Sequence, residues 1–330
     1  MNQSGGVNQT IKTFAARISL LVLRALIVPA AAASAIAAFA SHWWFADLMT
    51  HFRLQYLLVG LIGLVPMILL KRRGLACLAA VCLVLNLYPA VQYFQSPQYQ
   101  SAGQEDRLVV PLRVAGLNVF FRNSNYAGVA TWMKQEQPDV VVLVEASARW
   151  QEALSKLAPA WQYQHLAVKP GRSGKLILSR IPIEQIRALD SKNVRSPTPV
   201  ATFNHRGARF RLAAVHTIWP MGEARTAERN ESLNHLERQA SLPGPPLIAI
   251  GDFNISPFSP HFQALANRGK LIRAAAGHGW LPTWPVFLPA AGIQIDHVLV
   301  SPVITVDGIK TRSELGSDHR AILVDLSLPR

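Results

Sequence analysis

The chain has 330 residues, half of them hydrophobic and 16% charged, with two cysteines and a formal charge of +14. A chain this apolar collapses rather than staying solvated, and two cysteines cannot staple it, so a disordered tail and a disulfide scaffold are both excluded. A mean hydropathy of +0.19 beside a pI near 10.4 points to greasy and basic residues segregated along the chain.

The segregation begins at once. Ile18 to Ala40, Leu54 to Leu70 and Gly74 to Phe94 are apolar runs holding a single charge, Arg24. Each approaches the roughly 20 residues that a helix needs to cross a bilayer, and none has the polar stripe of a soluble helix. Trp43, Trp44, Tyr56 and Tyr93 fall at run ends, where aromatic rings favour the membrane interface. Lys12 and Arg17 precede the first run, and Lys71, Arg72 and Arg73 join the second to the third, whereas the loop between the first two has only Arg53. The positive-inside rule then puts the N-terminus in the cytoplasm and everything after Phe94 outside an inner or plasma membrane, that is, periplasmic or extracellular. A cleaved signal peptide ending at Ala38-Phe39-Ala40 is the rival reading; the run is longer than an h-region of about 7 to 15 residues, and the later topology is the same either way.

Gln95 to Gln104 is polar, uncharged and without apolar periodicity, which marks a linker between an anchor of residues 1–94 and a second domain of residues 105–330. In that domain short apolar runs alternate with polar segments. Leu108 to Val119, Asp139 to Val144, Lys175 to Leu178, Pro199 to Phe203, Phe210 to Val215, Pro246 to Ile250, Ile295 to Val300 and Ala321 to Leu326 are predicted as strands, and Tyr126 to Gln137 and Thr226 to Ala240 as helices. Val140 to Val144 and Leu247 to Ile250 are continuous apolar runs. Strands of that kind are buried on both faces, so helices are expected to cover the sheets.

Polar residues stand where these runs stop: Asn118, Glu145, His216, Asp252, Asn254, Asp296 with His297, and Asp318 with His319. Taken singly each has an ordinary structural use, as a helix cap, a turn residue or a hydrogen-bonded core histidine. As a set they read differently, because acid, amide and imidazole groups at buried strand ends are costly unless they satisfy one another, a metal or water. One shared site is the economical explanation.

The order of these landmarks carries a resemblance. Leu117-Asn118, Leu143-Val144-Glu145, Leu178-Ser179-Arg180, Val215-His216-Thr217, Gly251-Asp252-Phe253-Asn254, Ile295-Asp296-His297 and Gly316-Ser317-Asp318-His319 resemble the successive motifs of the endonuclease/exonuclease/phosphatase superfamily, DNase I among its members, over nearly all of residues 107–330. The resemblance implies a four-layered α/β sandwich of DNase I type, here preceded by three transmembrane helices. It also implies a phosphoester hydrolase in which Glu145 is the principal metal ligand, with Asn118 beside it and Asp318 on the other side. Asp252 would polarise the attacking water and Asn254 would hold phosphate or water in line. His319, held by Asp296, would donate to a phosphate oxygen, and His216 would contact the phosphate from the opposite side. The group protonating the leaving oxygen has no assigned counterpart.

The chemistry agrees with the residue types. A phosphodiester is shielded by its own charge, so hydrolysis needs a cation on the phosphate and an activated water. Oxygen donors favour Mg²⁺ or Mn²⁺, and the second domain has no cysteine and no closed histidine cluster for structural zinc. Three substrate classes stay open. Arg122, Arg172, Lys175, Arg206, Arg209, Arg211, Arg225 and Arg229 favour nucleic acid unless they merely form a solvated face. The anchor favours phospholipid head groups, with Trp280 to Ala291 as an apolar lip or a base-stacking surface, and soluble phosphomonoesters of the inositol phosphate kind come third. A catalytically silent, membrane-tethered scaffold is a reading of a different class, although no motif position is lost. The charge itself divides into +6 for residues 1–104, which mostly sets orientation, and +8 for residues 105–330.

Overall fold

The computed structural model describes residues 3–95, 108–168, 174–189 and 198–330, so nearly all of the expected linker, the expected domain start at Glu105 and Arg172 lie outside the described residues. The chain forms two compact units, Met1–Gln92 and Tyr93–Arg330.

The first unit is built from α1 (Gln3–Ile36), α2 (Trp44–Met49), α3 (Arg53–Leu69) and α4 (Arg73–Phe94). Ile18–Phe39, Trp44–Leu69 and Arg73–Phe94 are long and apolar enough to cross a membrane. The middle stretch starts ahead of the expected Leu54 because α2 and a short 3-10 turn already carry apolar residues. Arg53, expected in a loop, instead opens α3, and its Nη1 donates to Leu85 O at 3.1 Å and Asn86 Oδ1 at 3.2 Å. Asn86 Nδ2 in turn donates to Ser34 Oγ at 2.8 Å. Such bonds satisfy polar groups that hydrocarbon would leave unpaired. Gly60 lets α3 come close to α4, since a Cβ there would stand 2.9 Å from Ala79 O.

The second unit runs β1 (Val109–Asn118), α5 (Tyr126–Glu136), β2 (Val140–Ala146), α6 (Ala148–Leu157), β3 (Tyr163–Ala167), β4 (Gly174–Ser179), β5 (Ile183–Leu189) and β6 (Thr198–His205). It continues through β7 (Ala208–His216), α7 (Glu223–Ser241), β8 (Leu247–Asp252), α8 (Pro260–Arg268), β9 (Ile272–Arg273), β10 (Asp296–Val300), β11 (Thr305–Arg312) and β12 (Ala321–Pro329). The strands form two six-stranded sheets, β11-β12-β1-β2-β4-β3 and β5-β6-β7-β8-β10-β9. Each has one parallel pair near its middle, β1 with β2 and β7 with β8. Side-chain alternation builds the layers. Val114, Val142, Ile177, Ala214, Ile250, Val298 and Val324 fill the space between the sheets. Leu117, Val141, Leu143, Leu176 and Leu178 face Trp132, Met133, Trp150 and Leu154 of α5 and α6, and Val215, Leu247 and Ala249 face Leu233, Leu236, Phe262 and Leu265 of α7 and α8. The expected four-layered α/β sandwich is therefore present, helices outside and sheets inside.

The sandwich closes tightly where β7 meets β8. Gly251 has φ +139°, and a Cβ on it would collide with the carbonyl oxygen of Val215. Gly251→Ala should therefore destabilise the second unit by about 2–4 kcal/mol. Thermal unfolding of the full chain should show that unit's midpoint about 5–10 °C lower. An unchanged midpoint would mean that β8 relaxes away from β7 at little cost.

Candidate active site

The parallel pairs bring four strand ends to one rim: Asn118 ends β1, Glu145 lies next to last in β2, His216 ends β7 and Asp252 ends β8. Register places His216 beside Asp252, and Asp252 beside Asp296 at the start of β10. His319 stands just before β12, which pairs with β1. Glu145 is turned into the site by a bulge between Val144 and Ala146 and a left-handed backbone at φ +59°. Asn254 has φ +48°, and its backbone N–H donates to Asp252 Oδ1 at 2.8 Å. Left-handed non-glycine residues carry a backbone cost that the surrounding structure must offset.

The polar groups interlock across the two sheets. Asn118 Nδ2 donates to Glu145 Oε1 and to Asp252 Oδ2, both at 3.1 Å. Its Oδ1 accepts from Phe120 N at 3.0 Å, so in this geometry Asn118 bridges the carboxylates rather than offering them an oxygen. Glu145 Oε2 accepts from Phe121 N at 2.9 Å. Asn254 Nδ2 donates to Thr217 O at 2.9 Å and reaches Asp252 Oδ2 at 3.3 Å. His319 Nδ1 donates to Asp296 Oδ2 at 2.8 Å, and its Nε2 lies 3.4 Å from Asn118 Nδ2 and 3.9 Å from Asp252 Oδ2. His216 Nε2 lies 3.8 Å from Glu145 Oε1 and 4.0 Å from Asp252 Oδ2. Asp318 is placed differently: its Oδ2 accepts from Trp284 Nε1 at 3.1 Å, and its backbone oxygen accepts from Val286 N. His297 packs between Phe253 and Phe262 with Nε2 on Ile255 O at 2.8 Å, a core role.

Burial and charge set opposite protonation states on the two site histidines. Burial alone would lower His319, but the Asp296 charge and hydrogen bond, helped by Asp252 and Asp318, outweigh it and push the imidazole up to about 10. Burial, with the Lys175 and His319 charges, holds His216 well below the usual histidine range, hence neutral near pH 7. Burial and the Asp296 charge raise Asp252 above the usual carboxylate range. One cationic donor, one neutral imidazole and one basic carboxylate thus face a common space.

Asp252, Asp296 and His319 each offer an atom within 4.8 Å of the others, the spacing of a metal-binding trio. We read them instead as a charge pair with a neighbouring base, because a protonated His319 has no lone pair to give. A hard cation fits better at Glu145, whose side chain is 21% exposed and whose oxygens are held by neutral N–H donors. Asp318 meets Trp284 through Oδ2, and with Glu145 it makes an all-oxygen donor set, which suits a magnesium-like ion.

Of the basic residues singled out, Arg122 is exposed beside the site with its guanidinium 5.1 Å from the Phe121 ring, Arg225 is exposed in the first turn of α7, and the other described ones lie elsewhere. Arg206 and Arg209 sit at the β6–β7 turn, the far end of β7 from His216, and Arg209 pairs with Glu184. Arg211 is spent on Pro245 O, Gln239 O and Leu242 O. Lys175 and Arg229 are fully buried, and Arg229 Nη1 points to Asn254 O at 3.5 Å. Sequence reasoning placed Lys175 and Arg229 on the surface; the period of their strand and helix was the signal that could have corrected it.

The His319–Asp296 pair yields a pH signature. A histidine pKa raised in the folded state adds stability that is fully present below the unfolded value of about 6.5 and is lost as pH rises through the folded value. In chelator, the melting temperature of the wild type minus that of Asp296→Asn should shrink steadily from about pH 7.5 to about 10.5. A difference independent of pH across that window would refute the charged pair.

The Endonuclease/Exonuclease/phosphatase family profile matches residues 115–319. A search of curated proteins gave no sequence match. Among solved structures, the endonuclease/exonuclease/phosphatase from Bacteroides vulgatus is similar at 19% identity and TM-score 0.57, covering 66% of this chain and 99% of that one. The mannosyl-6-phosphatase Bt3783 of Bacteroides thetaiotaomicron is similar at 17% identity and TM-score 0.54, covering 65% and 99%. D. rerio TDP2 complexed with single strand DNA product gives 16%, 0.54, 66% and 98%. At such identities these likenesses speak to the fold. Together with the profile match over the whole polar rim, they lead to one conclusion: the chain belongs to the endonuclease/exonuclease/phosphatase family, a family of phosphoester hydrolases.

Proposed function

We propose that the protein is a divalent-metal-dependent phosphodiesterase acting on the head-group phosphoester of a phospholipid, with its catalytic domain on the outer side of the membrane. The observation that carries the chemistry is the cross-sheet cluster in which Asn118 holds Glu145 against Asp252 while Asp296 holds His319 with its Nε2 toward the same space, 3.4 Å from Asn118 Nδ2.

The roles follow from protonation and geometry. Asp252, raised in basicity and steadied by Asn254 N and Asn118 Nδ2, accepts a proton from the attacking water. Asn254 orients that water or a phosphate oxygen. His319, as imidazolium, donates through Nε2 to a non-bridging oxygen as charge builds on it. Neutral His216 contacts the phosphate from the β7 side. Glu145 and Asp318 are the residues to hold Mg²⁺ or Mn²⁺, joined by Asn118 if its carbonyl turns away from Phe120 N. Such an ion, when bound, supplies positive charge to the phosphate and acidifies water.

The surface around the site supports a lipid substrate. From Leu108 onward, the exposed aromatic side chains among the described residues are Phe121, Trp219, Trp280 and Phe287. Three of them stand on segments that leave the site directly. Phe121 follows β1 and gives its N–H to Glu145, Trp219 follows His216 and Thr217, and Phe287 follows Val286, whose N–H binds Asp318 O. Exposed Met221 and Leu288 extend this rim with aliphatic surface that base stacking does not use. The burial or distance of Arg206, Arg209, Arg211, Lys175 and Arg229 leaves Arg122 on Phe121 as the exposed cation beside Glu145, and the apolar first unit keeps the domain close to lipid. Lys71, Arg72 and Arg73 on the cytoplasmic side put residues after Phe94 outside.

Asp252→Asn and His319→Ala should each lower kcat on a soluble diester such as bis(p-nitrophenyl) phosphate by about a thousandfold with Mg²⁺ present. Retention of near wild-type turnover by either variant would remove that residue from the chemistry. On a panel of phospholipid vesicles, single-stranded DNA, RNA and inositol phosphates, the wild type should turn over lipid. Phe287→Ser with Trp219→Ser should cut lipid turnover about tenfold or more while sparing the soluble diester. Preference for DNA or RNA, with loss on those substrates in the rim variant, would replace the lipid reading by the nucleic-acid one.

A further inference from the structure

Lys175 is a completely buried lysine for which none of the roles above has a use. It sits in β4 opposite Val144, the residue before Glu145, and opposite Ala167 of β3 on the other side. Alternation along β4 sends Leu176 and Leu178 toward the α5–α6 layer and Ile177 between the sheets. Lys175 is two residues from Ile177, so its side chain enters the inter-sheet layer at the end where the polar rim begins. In the facing sheet, Ala214, Ile250 and Val298 line that layer; His216 and Asp252 come two residues after the first two, and Asp296 two residues before the third. The Lys175 charge acts on the His216 ring.

A buried ammonium is expensive to desolvate, and a fold selected for stability alone would be served as well by an apolar side chain of the same length. What this location offers a cation is the crowd of acids above it. Glu145, Asp252, Asp296 and Asp318 converge on one rim against a single imidazolium, His319, and a substrate phosphate adds further negative charge. Burial pulls the Lys175 ammonium down to about 7, so it carries its charge at and below neutral pH, and in a dry layer that charge is little screened.

We propose that Lys175 is a positioning cation under the phosphate site, which offsets the carboxylates through Glu145 and His216 and so strengthens the binding of a phosphate group above them. The inference rests on the reading of the site as a phosphate site, but not on turnover.

The test uses the full chain in detergent with Mg²⁺ at fixed concentration and inorganic phosphate as probe, binding being read from the shift in thermal midpoint. Lys175→Met keeps length and removes charge, Lys175→Gln removes charge but stays polar, and Lys175→Arg keeps charge. The two neutral variants should unfold, without phosphate, no lower than the wild type, yet bind phosphate at least tenfold more weakly. Lys175→Arg should hold phosphate within about threefold of the wild type. Phosphate affinity within twofold of the wild type in whichever neutral variant folds would overturn the proposal. So would a fall in midpoint with unchanged phosphate binding, which marks a purely structural lysine, and so would a wild type that phosphate does not stabilise. Failure of the phosphodiesterase reading shows separately, as a wild type that is stabilised by phosphate but turns over no phosphoester.

Discussion

The hydrogen bond from His319 to Asp296 joins the two sheets at the one end where chemistry is concentrated. Asp296 opens β10 in one sheet, and His319 immediately precedes β12 in the other. Asn118 and Asp252 make a second tie of the same kind, again one partner from each sheet. Below them the sheets are held by aliphatic side chains, whose attraction is non-directional and would tolerate small slides. The polar ties are directional, so they fix the distance between the sheets at the rim. Removing them would leave a sandwich with a core but without a defined site.

How much of this was legible in the sequence depended on burial. The eight strands expected from apolar runs are all present, and they fill the inner positions of both sheets. The four strands that escaped notice, β3, β5, β9 and β11, are the four sheet edges. Edge strands face water on one side and carry polar and charged residues such as Glu184, Arg187, Asp307 and Lys310, so their period is blurred. The short helices α6 and α8 were missed as well, since nine or ten residues hold too few turns to declare an apolar stripe. The polar residues that meet at the rim were easier to see, because a polar residue that ends a buried run is conspicuous.

Charge was the least legible quantity. A count of basic residues treats Arg206, Arg211, Arg229 and Lys175 alike, yet the fold assigns them to a far turn, a set of loop carbonyls, a helix interior and the floor of the site. Only placement converts such a count into a field. Beside the site, exposed Phe121, Trp219 and Phe287 stand with the exposed Arg122, whereas Lys175 is out of solvent. Specificity on this scaffold therefore belongs to the loops that leave the strand ends, whereas the chemistry belongs to the ends themselves.

The pairing of β1 with β12 has a further meaning for how activity appears in time. The Arg113–Asp325 ion pair across these strands spans 212 residues of sequence, and β12 lies between β1 and β11 in the finished sheet. A nascent chain that has not yet delivered this strand has β1 as a bare edge, and His319 without the strand that follows and seats it. Contacts of such long sequence separation form late. The polar rim would thus be complete only when the final strand is seated.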